Sequence, residues 1–184
     1  NADWEYDFRN TNIYAVSVSD GSIRTLTDRS GSEEEPVVSP NGDWVAFQGY
    51  EDRVQTYQVS ALHLMRLDGS KMKVLTPDLD RSVSNLVWDS AGKGVYFTYD
   101  DKGNSKIGYV SLDGNVQKLA DNLGGAGVGR PYGTGSFSVS AKGVIAYTYT
   151  RPEFPADIAV VDRPGGSPRR ITRLNDALLS HRRL

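Results

Sequence analysis

The 184-residue chain carries 21 Lys+Arg against 23 Asp+Glu and is 38% hydrophobic, which suits a globular protein long enough for one substantial core. It has no cysteine, so disulfides and thiolate metal sites are excluded; the near-balanced charge argues against nucleic acid as a main partner. No apolar run of about 18 residues occurs and no charged-then-apolar leader opens the chain, so neither a membrane span nor a targeting segment is expected.

Two readings of the first residues stay open, an expression scar at Asn1-Ala2 and a mature start that followed a signal peptide. The first patterned stretch, IYAVSVSDGSIRTLT from Ile13, is strand, turn, strand. It recurs as LHLMRLDGSKMKVLT from Leu62, IGYVSLDGNVQKLA from Ile107 and IAVVDRPGGSPRRIT from Ile158. The spacing is close to the period of about 40 to 50 residues expected of a four-stranded propeller blade. The bends fall at Asp20-Gly21, Asp68-Gly69, Asp113-Gly114 and Gly165-Gly166, pairs that suit tight hairpins.

A second hairpin, VSPNGDWVAF from Val38, is echoed by VWDSAGKGVYF from Val87 and FSVSAKGVIAY from Phe137. Its Asn41-Gly42 bend is expected to place both residues at positive φ. The two hairpins together make one blade, with strand a at Val37 to Ser39, b at Trp44 to Gly49, c at Ala61 to Leu67 and d at Lys73 to Thr76. In Trp44-Val45-Ala46-Phe47 and Val95-Tyr96-Phe97 both side-chain faces are apolar, as a sheet stacked between two others requires. The fold class is therefore all-β, a partial β-propeller of about three and a half four-stranded antiparallel blades. Residues 1–27 supply strands c and d of a half blade, 35–76, 83–120 and 135–172 are whole blades, and 173–184 form a linker. Asn175 to Leu179 is the one stretch with a helix signal, capped by Asn175.

Function is expected on the face that carries the b–c and d–a connections, because these are long: Tyr50 to Ser60, Asp100 to Ser105 and Arg151 to Ala156 for b–c, and Asp28 to Glu35, Pro77 to Ser82 and Asp121 to Thr134 for d–a. Glu33, Glu34 and Glu35 offer an acidic contact for a cationic substrate group or a partner's arginines, against the plainer reading of a solvated loop. Arg130 and Tyr132 would grip a carboxylate or carbonyl, or else anchor their Gly-rich loop. That loop, Gly124 to Gly135, lacks a GK[ST] ending and a following helix, so phosphate binding is discounted. Asp100 to Asn104 departs from calcium-loop spacing and reads as a polar b–c loop. The arginines at 169, 170, 173, 182 and 183 read as a solvated basic face. There is no G-x-S-x-G, and His63 and His181 lack evident partners, so His63 reads as a packing residue and no catalytic, metal or cofactor site is expected.

EEEPVVSPNGDWVAF, LHLMRLDGSKMKVLT, DRSVSNLVWD from Asp80, RPY from Arg130 and ITRLNDALL from Ile171 together resemble the propeller domain of the prolyl oligopeptidase family of serine peptidases, in its bacterial dipeptidyl-peptidase and acylaminoacyl-peptidase branch. The resemblance implies a non-catalytic module that gates access of short peptides and docks on a C-terminal α/β-hydrolase domain holding the Ser-Asp-His triad. Asp80 and Arg81 join Arg130, Tyr132 and Glu33 to Glu35 as candidate substrate or domain-interface residues. Peptide substrate and the hydrolase domain are the expected partners, with self-association through open blade edges and no nucleic acid or membrane; a bacterial periplasm and cytoplasm fit equally. The competing expectation is a protein-binding propeller of the periplasmic Tol-system type, which shares the LT and SPDG-like repeats. A lactonase or sugar-acting propeller enzyme is disfavoured, because no inward cluster of Asp, Glu and His is visible.

Overall fold

The structure, a computed structural model, describes residues 6–125, 135–162, 166–179 and 181. Strands β1 (Tyr14–Val16) and β2 (Ile23–Thr25) pair with each other alone. Strands β3 (Glu33–Val38), β4 (Trp44–Gly49), β5 (Ala61–Arg66) and β6 (Lys73–Val74) form an antiparallel sheet in sequence order. The same order repeats in β7 (Val83–Trp88), β8 (Gly94–Asp101), β9 (Asn104–Ser111) and β10 (Val116–Leu123). It repeats again in β11 (Phe137–Val139), β12 (Ile145–Arg151), β13 (Phe154–Val161) and β14 (Arg169–Arg170), and a single turn of helix, α1 (Asp176–Leu179), follows. This is a partial β-propeller of about three and a half blades. One departure from separate blades is a bridge from β10 to β12, where Leu123 pairs with Tyr149 and the Gly124 N–H donates to the Thr148 carbonyl at 3.0 Å.

Alternation along each strand explains why the inner strands are apolar on both faces. Val45, Phe47 and Met65 pack with Ile13 of the half blade, whereas Ala46, Leu62 and Leu64 pack with Val83, Leu86, Val95, Phe97 and Val110 of the next sheet. One sheet further on, Tyr96 and Ile107 turn the other way, onto Ile145, Tyr147, Tyr149, Ala159 and Val161. Strands with period-two side chains thus feed two cores at once. The fit is close at Gly108, which lies opposite Phe97 and where a Cβ would come within 2.6 Å of the Phe97 ring.

The LT repeat has a mechanical role. Thr27, Thr76 and Thr172 each accept, on Oγ1, the backbone N–H of the residue that begins the preceding c segment: Ile13 at 2.9 Å, Leu62 at 2.9 Å and Ile158 at 2.8 Å. Each hydroxyl satisfies an N–H that the short d strand ends too early to reach. In the third repeat Ala120 takes this position, and β10 runs on to Leu123 instead.

Two expectations are corrected. At the bends only the glycine of each pair is left-handed, with φ of 72° at Gly21, 75° at Gly42, 87° at Gly69 and 88° at Gly114, while Asn41, Asp20, Asp68 and Asp113 are not. The Gly42 N–H reaches back to the Ser39 carbonyl at 2.9 Å, so the turn spends one extra residue and puts glycine after an ordinary turn. Secondly, the connections Asp100 to Ser105 and Arg151 to Ala156 are not long loops. Asp101 pairs with Asn104 across a Lys102-Gly103 turn, with φ of 53° and 76°, and Arg151 pairs with Phe154. Regular pairing carries these strands to the rim, and among the described residues no three His, Asp or Glu side chains gather as a metal site.

Candidate functional site

With two b–c connections reduced to hairpins, the loop from Tyr50 to Ser60 is the long connection that remains between a b and a c strand among the described residues. It is held by its own hydrogen bonds: Asp52 Oδ1 accepts from the Val54 N–H at 2.7 Å and from Gln58 Nε2 at 2.9 Å, and Gln58 Oε1 accepts from the Arg53 N–H at 2.6 Å. The Val54 N–H and then the Gln58 amide hold the Asp52 carboxyl below the ordinary carboxylate range. The loop is also tied to the connection before β3, since the Tyr50 and Asp52 N–H groups donate to the carbonyls of Ser32 and Ser30 at 3.0 and 2.9 Å. Gly31 permits the approach: its φ is 136°, and a Cβ there would lie 2.0 Å from the Tyr50 carbonyl oxygen.

Between this loop, β5 and the residue 28–33 connection lies a pocket of about 400 Å³, lined among others by Arg29, Tyr50, Arg53, Tyr57 and His63. Its base is a chain of three side chains. Glu33, 3% exposed, accepts from Arg29 Nε at 2.6 Å, and Arg29 Nη1 lies 3.3 Å from His63 Nε2. His63 Nδ1 is 3.0 Å from the Ala61 carbonyl, an oxygen that can only accept; the proton therefore sits on Nδ1, and Nε2 is left to accept from Arg29. The ring stacks on Phe47 with centroids 5.1 Å apart. Burial first, and the Arg29 charge second, lower the His63 pKa from 6.5 to about 4. His63 is a packed residue, as the sequence suggests, but it has partners that the sequence did not reveal. Among the described residues, Glu33 Oε2 and Arg29 Nη2 are buried without a hydrogen-bond partner.

The three glutamates do not form an acidic loop; they lie on β3 and point to three different ends. Glu33 neutralises Arg29, and Glu34 Oε1 accepts from Ser32 Oγ at 2.7 Å. Glu35, at φ 51°, sits where the β3–β4 register slips, and its Oε2 accepts the Asn85 N–H at 2.8 Å. Asn85, at φ 54°, occupies the matching slip between β7 and β8, so the bulges of two neighbouring innermost strands are joined. Asp80 is exposed, at φ 50°, and Arg81 bridges it to Asp101, with Nη1 3.2 Å from Asp80 Oδ2 and Nη2 3.1 Å from Asp101 Oδ1. Arg81 lines a second, smaller pocket of about 230 Å³ with Ser84, Thr98 and Tyr99, and Tyr57 stands between this pocket and the first. Arg130 and Tyr132 lie outside the described residues. Arg29, His63 and Tyr57 were not singled out as site residues from sequence; an unusually long interval between strands b and c was the one available pointer.

No protein-family model and no curated protein matches the sequence significantly. Solved structures do. Oligogalacturonate lyase in complex with manganese superposes with a TM-score of 0.66 at 15% identity over 92% of this chain and 44% of its own. The β-propeller domain of the trilobed protease from Pyrococcus furiosus gives 0.62 at 18% identity over 92% and 45%, and TolB from Acinetobacter baumannii gives 0.60 at 18% over 89% and 38%. At such identities the likeness shows the fold alone, a β-propeller, and this chain spans less than half the length of each of these three structures.

Proposed function

We propose that the chain is a non-catalytic part of the propeller of a serine peptidase that cleaves short peptides, where it restricts substrate entry and docks against a hydrolase domain. The observation that carries this reading is the pocket framed by Arg29, His63 and the Tyr50 to Ser60 loop, on the face where the one long b–c connection among the described residues lies. Its size suits one or two peptide side chains. Similarity to the propeller of a protease supports the reading. His63 spends both ring nitrogens on Ala61 and Arg29, and among the described residues no serine hydroxyl is within hydrogen-bond reach of it, which supports a non-catalytic role. Further candidate contacts are Arg81 with Asp80, Glu34 and Glu35; Arg130 and Tyr132, outside the described residues, are candidates from the sequence alone.

The test has two arms. The chain alone, incubated with chromogenic peptidyl substrates, is expected to release no product, and measurable turnover would refute a non-catalytic role. Isotope-labelled chain titrated with short capped peptides is expected to show amide shifts at Gly49, Val59 and Ala61. The competing reading, a protein-binding propeller like TolB, draws support from an equally close fold likeness. It predicts that the reading frame downstream of Leu184 encodes no G-x-S-x-G elbow, whereas the peptidase reading requires one.

A further inference from the structure

We propose that the Arg29–His63 pocket selects an uncharged side chain of a bound peptide, aromatic or amide-bearing, and discriminates against acidic and basic ones. The inference rests on the peptide-binding reading above and adds to it the chemistry of the group received.

Among the described residues the charges in and behind the pocket wall sum to zero, Arg29 and Arg53 against Glu33 and Glu51. At the base, the Arg29 guanidinium is the one permanent cation, and its counter-charge, Glu33, is already inside the wall with a fully buried side chain. His63 adds none, because Nδ1 donates to a carbonyl and Nε2 accepts from Arg29, an arrangement that only neutral imidazole satisfies. At the rim, Arg53 faces the pocket together with Glu51. An acidic side chain would reach Arg29 only by coming close to the carboxylate of Glu33, and a basic one would meet Arg29 and Arg53 directly. At the base either ion would lose its water without an unspent counter-ion, which is the costly case, whereas Arg53 and Glu51 stand at the wetter rim, where a single pairing contributes little. An uncharged group meets no such penalty. The faces of Tyr50 and Tyr57, with Val59 and Pro77, supply apolar and aromatic contact, and the guanidinium, fixed from two sides, offers N–H donors to a phenol or amide oxygen. About 400 Å³ accommodates a ring or a carboxamide with room for its backbone.

The experiment titrates the full chain, isotope-labelled, with N-acetyl-tyrosinamide, N-acetyl-aspartic acid amide and N-acetyl-lysinamide at pH 7. The tyrosine probe is expected to shift the amides of Gly49, Val59, Ala61 and His63 and to bind at least about tenfold tighter than either charged probe. Glu33→Gln leaves Arg29 uncompensated and is expected to reverse the order, with the aspartate probe binding best. Because a buried substitution can also prevent folding, Glu51→Gln at the exposed rim is the companion variant, expected to strengthen the aspartate probe several-fold relative to the tyrosine probe. If a charged probe binds this pocket as tightly as the tyrosine probe, the selectivity is wrong while the peptide-binding reading stands. If none of the three shifts these amides, both fall.

Discussion

The sheet β3–β6 and the sheet β11–β14 are built from the same repeat, with the same threonine closing the d strand, yet they end differently on the rim. In the first, strands b and c part at Gly49 and rejoin at Ala61, and the intervening loop walls a pocket. In the second they stay paired out to Arg151 and Phe154, and the position that follows β4 as an open loop is there a hairpin. A further contrast lies in the residue before the c strand's first apolar position. Ala61 in the first sheet offers its carbonyl to His63, whereas Asp157 in the last gathers Arg170, Thr172 and the Leu174 N–H. Burial pushes the Asp157 carboxyl upward, but those three donors outweigh it and hold the carboxyl below its usual range. The comparison teaches that blade packing is supplied by every repeat, while the Arg29–His63 pocket arises where the b–c pairing is interrupted and the wall behind it contains charge that is already paired.

The largest expected effect breaks what the two sheets share. Phe97→Ala empties the core between the first and second whole sheets and is expected to cost about 3 to 5 kcal/mol, read as a lower urea midpoint, with pocket loop and hairpins lost together. An unfolding curve in which the pocket loop persisted would show that the sheets are not cooperative.

His63 sharpens the contrast, because it has no counterpart in the other sheets, where Tyr14, Gly108 and Ala159 stand. Its pKa falls from 6.5 to about 4 on folding, so the unfolded chain takes up the proton first. Stability is therefore complete above pH 6.5, declines as pH falls toward about 4, and is constant below, with up to about 3 kcal/mol at stake. Urea midpoints measured between pH 7.5 and 4 for the unaltered chain and for His63→Gln check this. The difference between the two should narrow as pH falls, and a parallel pair of curves would contradict it.

A smaller effect separates two of the three closing threonines, Thr76 and Thr172. Thr76→Val leaves the N–H of fully buried Leu62 without a partner and is expected to cost about 1 to 3 kcal/mol. Thr172→Val strips the N–H of Ile158, which is partly reached by water, but also takes a donor from the buried Asp157 carboxylate, and should cost more, by the same urea measurement. Equal losses would mean that the bond to Asp157 contributes little to stability. The smallest effect on stability, under about 1 kcal/mol, is expected on replacing the loop between Tyr50 and Ser60 by a two-residue turn. That variant should keep the fold by circular dichroism and lose the tyrosine-probe shifts; retention of binding would place the site elsewhere on the rim.

Much of the scaffold was legible in the sequence because it repeats. Strand b was expected from Trp44 to Gly49 and lies there, and the interval after it was expected to be open. The rim was read less well. The run Glu33 to Glu35 looks solvated by composition, but a register slip that holds Glu35 at a φ unusual for a non-glycine residue folds the run into β3. Asn85, at the same slip one sheet later, is a residue that tolerates this conformation, and the pair together is the signal that could have exposed it. The chain at Asp100 to Ser105 and at Arg151 to Ala156 is polar because the hairpin rims are wet, and polarity alone does not tell a loop from a paired rim.

The sequence by itself determined the repeating unit, its strand order and the apolar character of both sheet faces, since period-two alternation and glycine bends are local properties that each repeat states again. Only the tertiary structure decided that Glu33, Arg29 and His63 meet at one pocket. They come from a strand, the connection before it and the c strand beyond, and are brought within hydrogen-bond reach by the β3–β4–β5 pairing, in which Glu33 lies opposite Gly49 and Gly49 opposite Ala61, and by the connection that carries Arg29 back over that sheet.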